Sequence, residues 1–266
     1  MIALGGNSIA PKGGVNDIQE QFSRTRKAIK GLSHFISKGY NLCLNHGNGP
    51  QVGNELMRME LSKDVVPPLP LGVCVASTQG SIGYMIQQSL QNKLRKMKID
   101  REVVTMISQV LVQNDDPSFK NPHKFVGNRY NKTESEELRK EYGWTFKEQD
   151  TNEFRRVVPS PMPEYLMHGK SIKALVDRGT IVIATGGGGI PVYNDSDGNI
   201  TGLDAVIDKD YSAAKMGRII RAQELWIITD IDCVYVDFGS AKQKRITTIK
   251  ASEIEKLYQK GEFQKG

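Results

Sequence analysis

No stretch of this chain stays apolar for long. The longest such runs are only a few residues, as in Leu225-Trp226-Ile227-Ile228, far short of the ~20 needed to cross a bilayer, so no membrane span is expected. Cysteine is scarce. The chain has three, Cys43, Cys74 and Cys233, far apart in sequence. An odd number at such spacing offers neither a disulfide framework nor a metal motif, so reduced thiols in a cytoplasmic protein are expected. No secretory signal precedes the strand-like opening, Ile2-Ala3-Leu4. Histidine is equally sparse, and His34, His46, His123 and His168 form no ligand spacing. No Ser-His-Asp or Cys-His signature accompanies them, so no protein-held metal and no triad chemistry are indicated. Two nucleotide fingerprints are missing as well: G-x-x-x-x-G-K-[ST], and the dinucleotide G-x-G-x-x-G with its later acid.

What is present suits one large globular domain, or a core with a subdomain, at 266 residues. The net charge is +6, a surplus that fits small anionic substrates. The densest basic run, Lys93-Leu94-Arg95-Lys96-Met97-Lys98 with Arg101, reads as a solvated helix end, where cations are favoured. It lacks the aromatic platform of a nucleic-acid surface, so no nucleic-acid partner is expected.

Along the chain, helical and strand-like segments alternate. Val15, Ile18, Phe22, Ile29, Leu32 and Ile36 fall on one helical stripe, and Gly39 follows as a stop. A strand is expected over 40–45, a helix from Val52 and a long helix from Val73 to Met97. Residues 102–112 are rich in Val and Ile and read as one strand. Later come a helix over 172–178, a buried strand over 181–184 and another over 225–230. Such alternation predicts a mostly parallel sheet with helices on both faces. Residues 113–165 break the rhythm with polar, turn-rich sequence, a short helix over 134–142 and "RRVVPSPMP". So long an excursion reads as a small protruding lid subdomain. Its aromatics, Phe119, Phe125, Tyr130, Trp144, Phe146 and Phe154, argue for ordered packing. Near the end, 252–260 reads as a helix with Ile254, Leu257 and Tyr258 facing inward.

Three loops share a design: Gly5-Gly6-Asn7, Gly47-Asn48-Gly49 and Gly186-Gly187-Gly188-Gly189 each follow a predicted strand. In an open α/β sheet, ligands bind outside the carboxyl ends of the strands. Glycine there lets backbone N–H groups face an anion, and a following helix adds its positive end. One such loop is ordinarily only a turn; three together point to anion chemistry. Phosphoryl transfer also needs positive charge, and Lys209 in "VIDKDYSAAK", between Asp208 and Asp210 at a helix start, is the candidate. His46 touches the second loop and reads as structural.

The motifs "IALGGNSI" (2–9), "HGNGPQVGN" (46–54), "STQGSIGY" (77–84), "FKNPHKFVG" (119–127), "RRVVPSPMP" (155–163), "GGGGIPV" (186–192), "AVIDKD" (205–210) and "TDIDCVYVDFG" (229–239) occur in this order along nearly the whole chain. By them the chain resembles the carbamate kinases of the amino acid kinase superfamily. The resemblance implies an open αβα sandwich with a mostly parallel sheet of about eight strands, spanning 1–266 with 113–165 as the lid, and a homodimer. It implies reversible phosphoryl transfer between ATP and carbamate with Mg²⁺, run toward ATP at the end of arginine fermentation. It implies that Gly5, Gly6, Asn7, Gly47, Asn48 and Gly49 hold the transferring phosphoryl group and the carbamate. Lys209 is then the catalytic lysine, positioned by Asp208, and Lys124 reaches over the carbamate from the lid. Gly187, Gly188, Thr229, Asp230 and Tyr235 fall to the nucleotide.

The chain departs from the family's pattern at Phe125, where proline is usual, and at Thr151-Asn152-Glu153-Phe154, where Gly-Arg-Gly-Trp is usual. The family also continues past "GEFQKG" (261–266) with a block carrying a nucleotide-site lysine, so the natural protein is expected to be longer. Two other readings stand beside this one: an amino acid kinase acting on a larger carboxylate, and a non-catalytic nucleotide-binding relative.

Overall fold

The structure, a computed structural model, describes residues 1–6, 9, 17–229 and 233–262. Val15 of the expected helical stripe lies outside them. Contacts divide the chain into two units, Met1–Ile228 and Thr229–Gly266.

The first unit runs β1 (Ile2–Leu4), α1 (Ile18–Ala28), α2 (Ser33–Ser37), β2 (Cys43–His46), α3 (Gly49–Ser62), α4 (Leu71–Met97), β3 (Val103–Thr105) and β4 (Gln109–Leu111). It continues with β5 (Lys124–Tyr130), α5 (Lys132–Tyr142), β6 (Thr145–Asp150), β7 (Glu153–Val158), β8 (Tyr165–Leu166) and α6 (Gly169–Asp177). It ends with β9 (Ile181–Ile183), β10 (Ile190–Asn194), β11 (Ile200–Gly202), α7 (Lys209–Ile219) and β12 (Trp226–Ile228).

The central sheet is parallel, in the order β12-β1-β2-β9-β3. Alternation along its strands builds two cores. Ile2, Leu4, Leu44, Ile181 and Ile183 point to one face and pack on α4 through Ile82, Met85, Ile86, Leu90 and Leu94. Ala3, Cys43 and Val182 point to the other face, against Ile172 and Val176 of α6 and Ala213 and Met216 of α7. Such two-sided burial is what a parallel sheet requires. It also pushes the Cys43 thiol up to about 12, so this cysteine is a packing residue. Among the described residues the sheet has five strands, where the resemblance implied about eight.

The expected strand over 102–112 is two strands. β3 joins the central sheet, while β4 joins a second sheet ordered β11-β10-β4-β8. The cause is a side chain: Gln79 of α4 accepts from Ser108 N at 2.8 Å and donates to Ser108 O at 3.2 Å. Ser108 is thereby held at the break, and its carbonyl also accepts from Ile190 N at 2.9 Å, the first bond of the β4–β10 ladder.

Residues 113–165 hold a three-stranded antiparallel sheet, β5-β7-β6, with α5 beside it. Asn131 caps α5, accepting from Glu134 N at 3.0 Å while Glu134 accepts from Asn131 N at 2.8 Å. Tyr130, Phe146, Trp144 and Tyr142 form a chain of ring contacts, the ordered packing the aromatics predicted. The root of this subdomain is anchored. Val126 and Val158 share a core with Val52, Leu56 and Val75. Buried Arg156 donates to Asp204 at 2.7 Å and lies 4.1 Å over the Trp144 ring.

The second unit carries an antiparallel hairpin, β13 (Val234–Val236) with β14 (Lys244–Ile246), and α8 (Ala251–Gln259). Of the inward face expected for this helix only Leu257 is half-buried, while Ile254 is 42% and Tyr258 63% exposed. A two-stranded ribbon and one short helix have too little apolar surface to form a core.

Candidate active site

β1, β2 and β9 are neighbours in one parallel sheet, and each runs at its carboxyl end into a glycine loop. The sequence thus places three glycine-rich turns side by side. Gly5 N donates to Ile228 O and Gly47 N to Leu4 O, both at 2.9 Å, which ties the first two loops to the strand ends. These loops then meet backbone to backbone. A Cβ on Gly47 would lie 2.8 Å from Gly6 N and 3.0 Å from Gly6 Cα, so only glycine fits here. Asn48 is the N-cap position of α3, and Pro50 sits in its first turn. The positive end of a 14-residue helix therefore opens at this loop. Asn7 lies outside the described residues.

Lys209 arrives from α7. Asn45 Nδ2 donates to Lys209 O at 2.8 Å, fixing the helix start against the end of β2. The Lys209 side chain passes Gly47, whose added Cβ would stand 3.6 Å from Lys209 Cδ. Its Nζ ends 2.5 Å from Asp210 Oδ1. Asp208 caps the helix, accepting from Asp210 N at 2.9 Å. Its other oxygen lies 3.4 Å from Lys124 Nζ at the start of β5. Asp208, expected to position Lys209, does so here through the helix start it caps and not through a direct contact with the ammonium group. The cap geometry turns Asp208 toward Lys124, and Asp210 takes Lys209. Two lysines from distant parts of the chain thus converge, each with a carboxylate, on one helix start. Both pairs are partly exposed, so their role is placement more than stability.

The glycine run after β9 is packed beneath the second loop. Gly187 has φ +64° and Gly188 φ +92°. A side chain on Gly187 would enter the Asn48 carboxamide, and one on Gly188 would enter the Ile207 backbone. Ser212 Oγ donates to Gly188 O at 2.6 Å, locking the run to α7. Gly187, expected near nucleotide, is thus packed under Asn48, and Gly188, expected there too, is packed against Ile207. Thr229 and Tyr235 lie in the second unit, Tyr235 on β13, and Asp230 lies outside the described residues.

His46 is structural, as its position suggested. It is 1% exposed, its ring lies against Gly186, and burial lowers its pKa to about 4. Its unfolded counterpart titrates near 6.5. Between these values the unfolded chain binds the extra proton, so stability rises with pH across that window and is lost as pH falls through it. At about 1.4 kcal/mol per decade the loss is on the order of 3 kcal/mol. Melting temperature should drop from pH 7 to pH 4.5, and a His46→Asn variant should show a flatter profile.

Residues not singled out from sequence complete the site's support. Thr78 and Gln79 of α4 are buried, and Gln79 Nε2 also donates to Gly186 O at 3.0 Å. The available signal was two polar residues on the helical face that continues as Ile82, Met85 and Ile86. A separate cavity of about 250 Å³ opens at the amino ends of the same strands, beside Phe35, Tyr40, Glu224 and Trp226. It contains none of the predicted site residues, and ligand chemistry in such sheets belongs to the carboxyl ends. Among the described residues no cluster of three His, Cys, Asp or Glu side chains could hold a metal, and no helix is long and apolar enough to cross a membrane.

Residues 1–266 match the Amino acid kinase family. The chain is 42% identical over 268 residues to a carbamate kinase of Pyrococcus horikoshii, covering 100% of this chain and 85% of that protein. It is 41% identical over 270 residues to carbamate kinase 2 of Staphylococcus epidermidis, with the same coverage. The solved structure of a Giardia lamblia carbamate kinase bound to AMP-PNP superposes with a TM-score of 0.93 at 34% identity, covering 100% of this chain and 84% of that one. The chain belongs to the amino acid kinase family, in its carbamate kinase branch.

Proposed function

We propose that this protein is a carbamate kinase, transferring a phosphoryl group reversibly between ATP and carbamate and working mainly toward ATP. The observation that carries the reading is the convergence of Lys209 and Lys124, with Asp210 and Asp208, on the α7 start beside the Gly6–Gly47 backbone contact. Carbamate is a small planar anion with no side chain to grip. A site for it must use backbone donors, and the glycine loops bring the backbone close.

In the ATP-forming direction, the bond from phosphorus to the carbamate oxygen breaks and its electron pair stays on that oxygen. A bond to a β-phosphate oxygen of ADP forms, and no proton has to move. Such a transfer needs in-line placement and charge neutralisation more than acid–base catalysis. Loop N–H groups and the α3 N-terminus hold the anion, and the two lysines spread the developing charge. Mg²⁺ typically keeps to substrate phosphates and takes one or two carboxylates. Asp208 and Asp210 are the carboxylates available at this helix start. When bound, the ion supplies further charge neutralisation. A cytoplasmic homodimer acting at the end of arginine fermentation completes the proposal, on the strength of the family resemblance.

The test is a substrate panel. ADP with carbamoyl phosphate should yield ATP, and ATP with N-acetylglutamate should yield no ADP; the reverse pattern would establish a kinase for larger carboxylates. Within the panel, Lys124→Ala should raise the KM for carbamoyl phosphate roughly tenfold or more, as expected for a lost charge-assisted contact, and move the KM for ADP far less. Weakening confined to ADP would remove Lys124 from the carbamate side.

A further inference from the structure

We infer that Asn48 reads the amino group of the carbamoyl substrate through its Oδ1, and that Thr78 is the positioning residue that turns the carboxamide that way. The inference rests on the proposed reaction and adds how that site tells a carbamoyl group from other small acyl groups.

Carbamate and carbamoyl phosphate differ from acetate and acetyl phosphate by an NH₂ in place of CH₃. That NH₂ is a donor and needs an acceptor. Nearly everything else at these loops donates: backbone N–H groups, a helix N-terminus, Lys209 and Lys124. The carboxylates of Asp208 and Asp210 pair with the two lysines and are the groups that would take Mg²⁺, so their place is on the phosphoryl side. The carboxamide of Asn48, a residue 5% exposed, supplies the missing acceptor.

Its orientation follows from the hydrogen bonds around it. Thr78 is fully buried and its hydroxyl donates to Val75 O at 2.7 Å. The one hydroxyl proton is thereby committed, so toward Asn48 this oxygen can only accept. Asn48 Nδ2 donates to it at 2.9 Å. The reverse carboxamide orientation would set two acceptors against each other, so the network fixes the amide assignment. Gly187 lies flat beneath the carboxamide, where any side chain would collide with it. With Nδ2 tied down, no described residue donates to Oδ1, which leaves it for a ligand. A site with a fixed acceptor for NH₂ rejects an analogue lacking it, because the acceptor is then left unpaired.

Thr78→Val keeps the shape and removes the acceptor. The test measures the KM for carbamoyl phosphate, the inhibition constant of acetyl phosphate against it, and the KM for ADP. In Thr78→Val the KM for carbamoyl phosphate should rise roughly tenfold, the scale of one lost and one unpaired neutral hydrogen bond. The acetyl phosphate constant and the KM for ADP should stay within about twofold, since neither ligand uses this bond. Thr78→Ser, which restores the hydroxyl, should restore the wild-type ratio of the two acyl phosphates. Equal weakening of both acyl phosphates, or no change in either, would overturn the inference. If Thr78→Val does not fold, Thr78→Ala removes the same acceptor without added bulk and is judged by the same ratio. Wild-type protein that forms no ATP from carbamoyl phosphate would instead overturn the reaction itself.

Discussion

Lys209→Ala is expected to lower turnover by two or more orders of magnitude, with the fold and the affinity for ADP nearly unchanged. The ammonium group is poised by Asp210 at 2.5 Å, and its backbone is fixed by Asn45. The alanine variant keeps the backbone bond and the helix cap, so the structural consequence is small. What disappears is a positive charge aimed at the glycine loops. A group whose contact strengthens as charge moves during transfer affects turnover more than ground-state binding. Losing one such fixed stabiliser typically costs ~10²–10³ in rate. A steady-state comparison with wild type decides it. Near-normal turnover would remove Lys209 from the chemistry.

Gly47→Ala is expected to be comparably damaging for a purely steric reason. The new methyl group would sit 2.8 Å from Gly6 N, closer than van der Waals contact permits. Both partners are backbone, so no side chain can swing aside, and the two phosphoryl loops must spread. Misplacing reacting groups by about 1 Å can cost ~10² in rate. The control is Gly80→Ala on an exposed turn of α4, where a Cβ meets nothing within 4 Å. It should leave activity untouched and stabilise slightly, since alanine is favoured over glycine inside a helix by about 1 kcal/mol. Equal activity in the two variants would mean that the Gly6–Gly47 contact has no part in catalysis.

The central sheet was legible because its rules are local. Ile2, Ala3 and Leu4 alternate between two cores, as do Ile181, Val182 and Ile183; glycine follows directly after Leu4 and, after Ala184 and Thr185, closes the second run as well. The α7 start was legible in the same way, from an Asp-Lys-Asp sequence before a helical pattern. What could not be read depended on partners far along the chain. The Val- and Ile-rich stretch 102–112 looks continuous, yet it divides beside Ser108, which Gln79 holds from 29 residues away. The resemblance implied that Asp208 positions Lys209, and nothing local in the sequence showed that its carboxylate also meets Lys124 at a separation of 84 residues. Gly187 and Gly188 were expected near the nucleotide, and the close approach of Asn48 and Ile207, which also requires glycine there, could not be read from the run itself. The inward face expected for α8 was an extrapolation from periodicity, which predicts an apolar stripe but not what covers it.

The most direct test of the account is phosphorus NMR of purified protein mixed with ADP, Mg²⁺ and carbamoyl phosphate. The account predicts loss of the carbamoyl phosphate signal matched by growth of the three ATP signals, in equal amounts and without inorganic phosphate beyond the spontaneous background. It also predicts that Lys209→Ala leaves the spectrum nearly unchanged over the same period. Carbamoyl phosphate that decays only to inorganic phosphate in the presence of wild-type protein, with ADP intact, would contradict it.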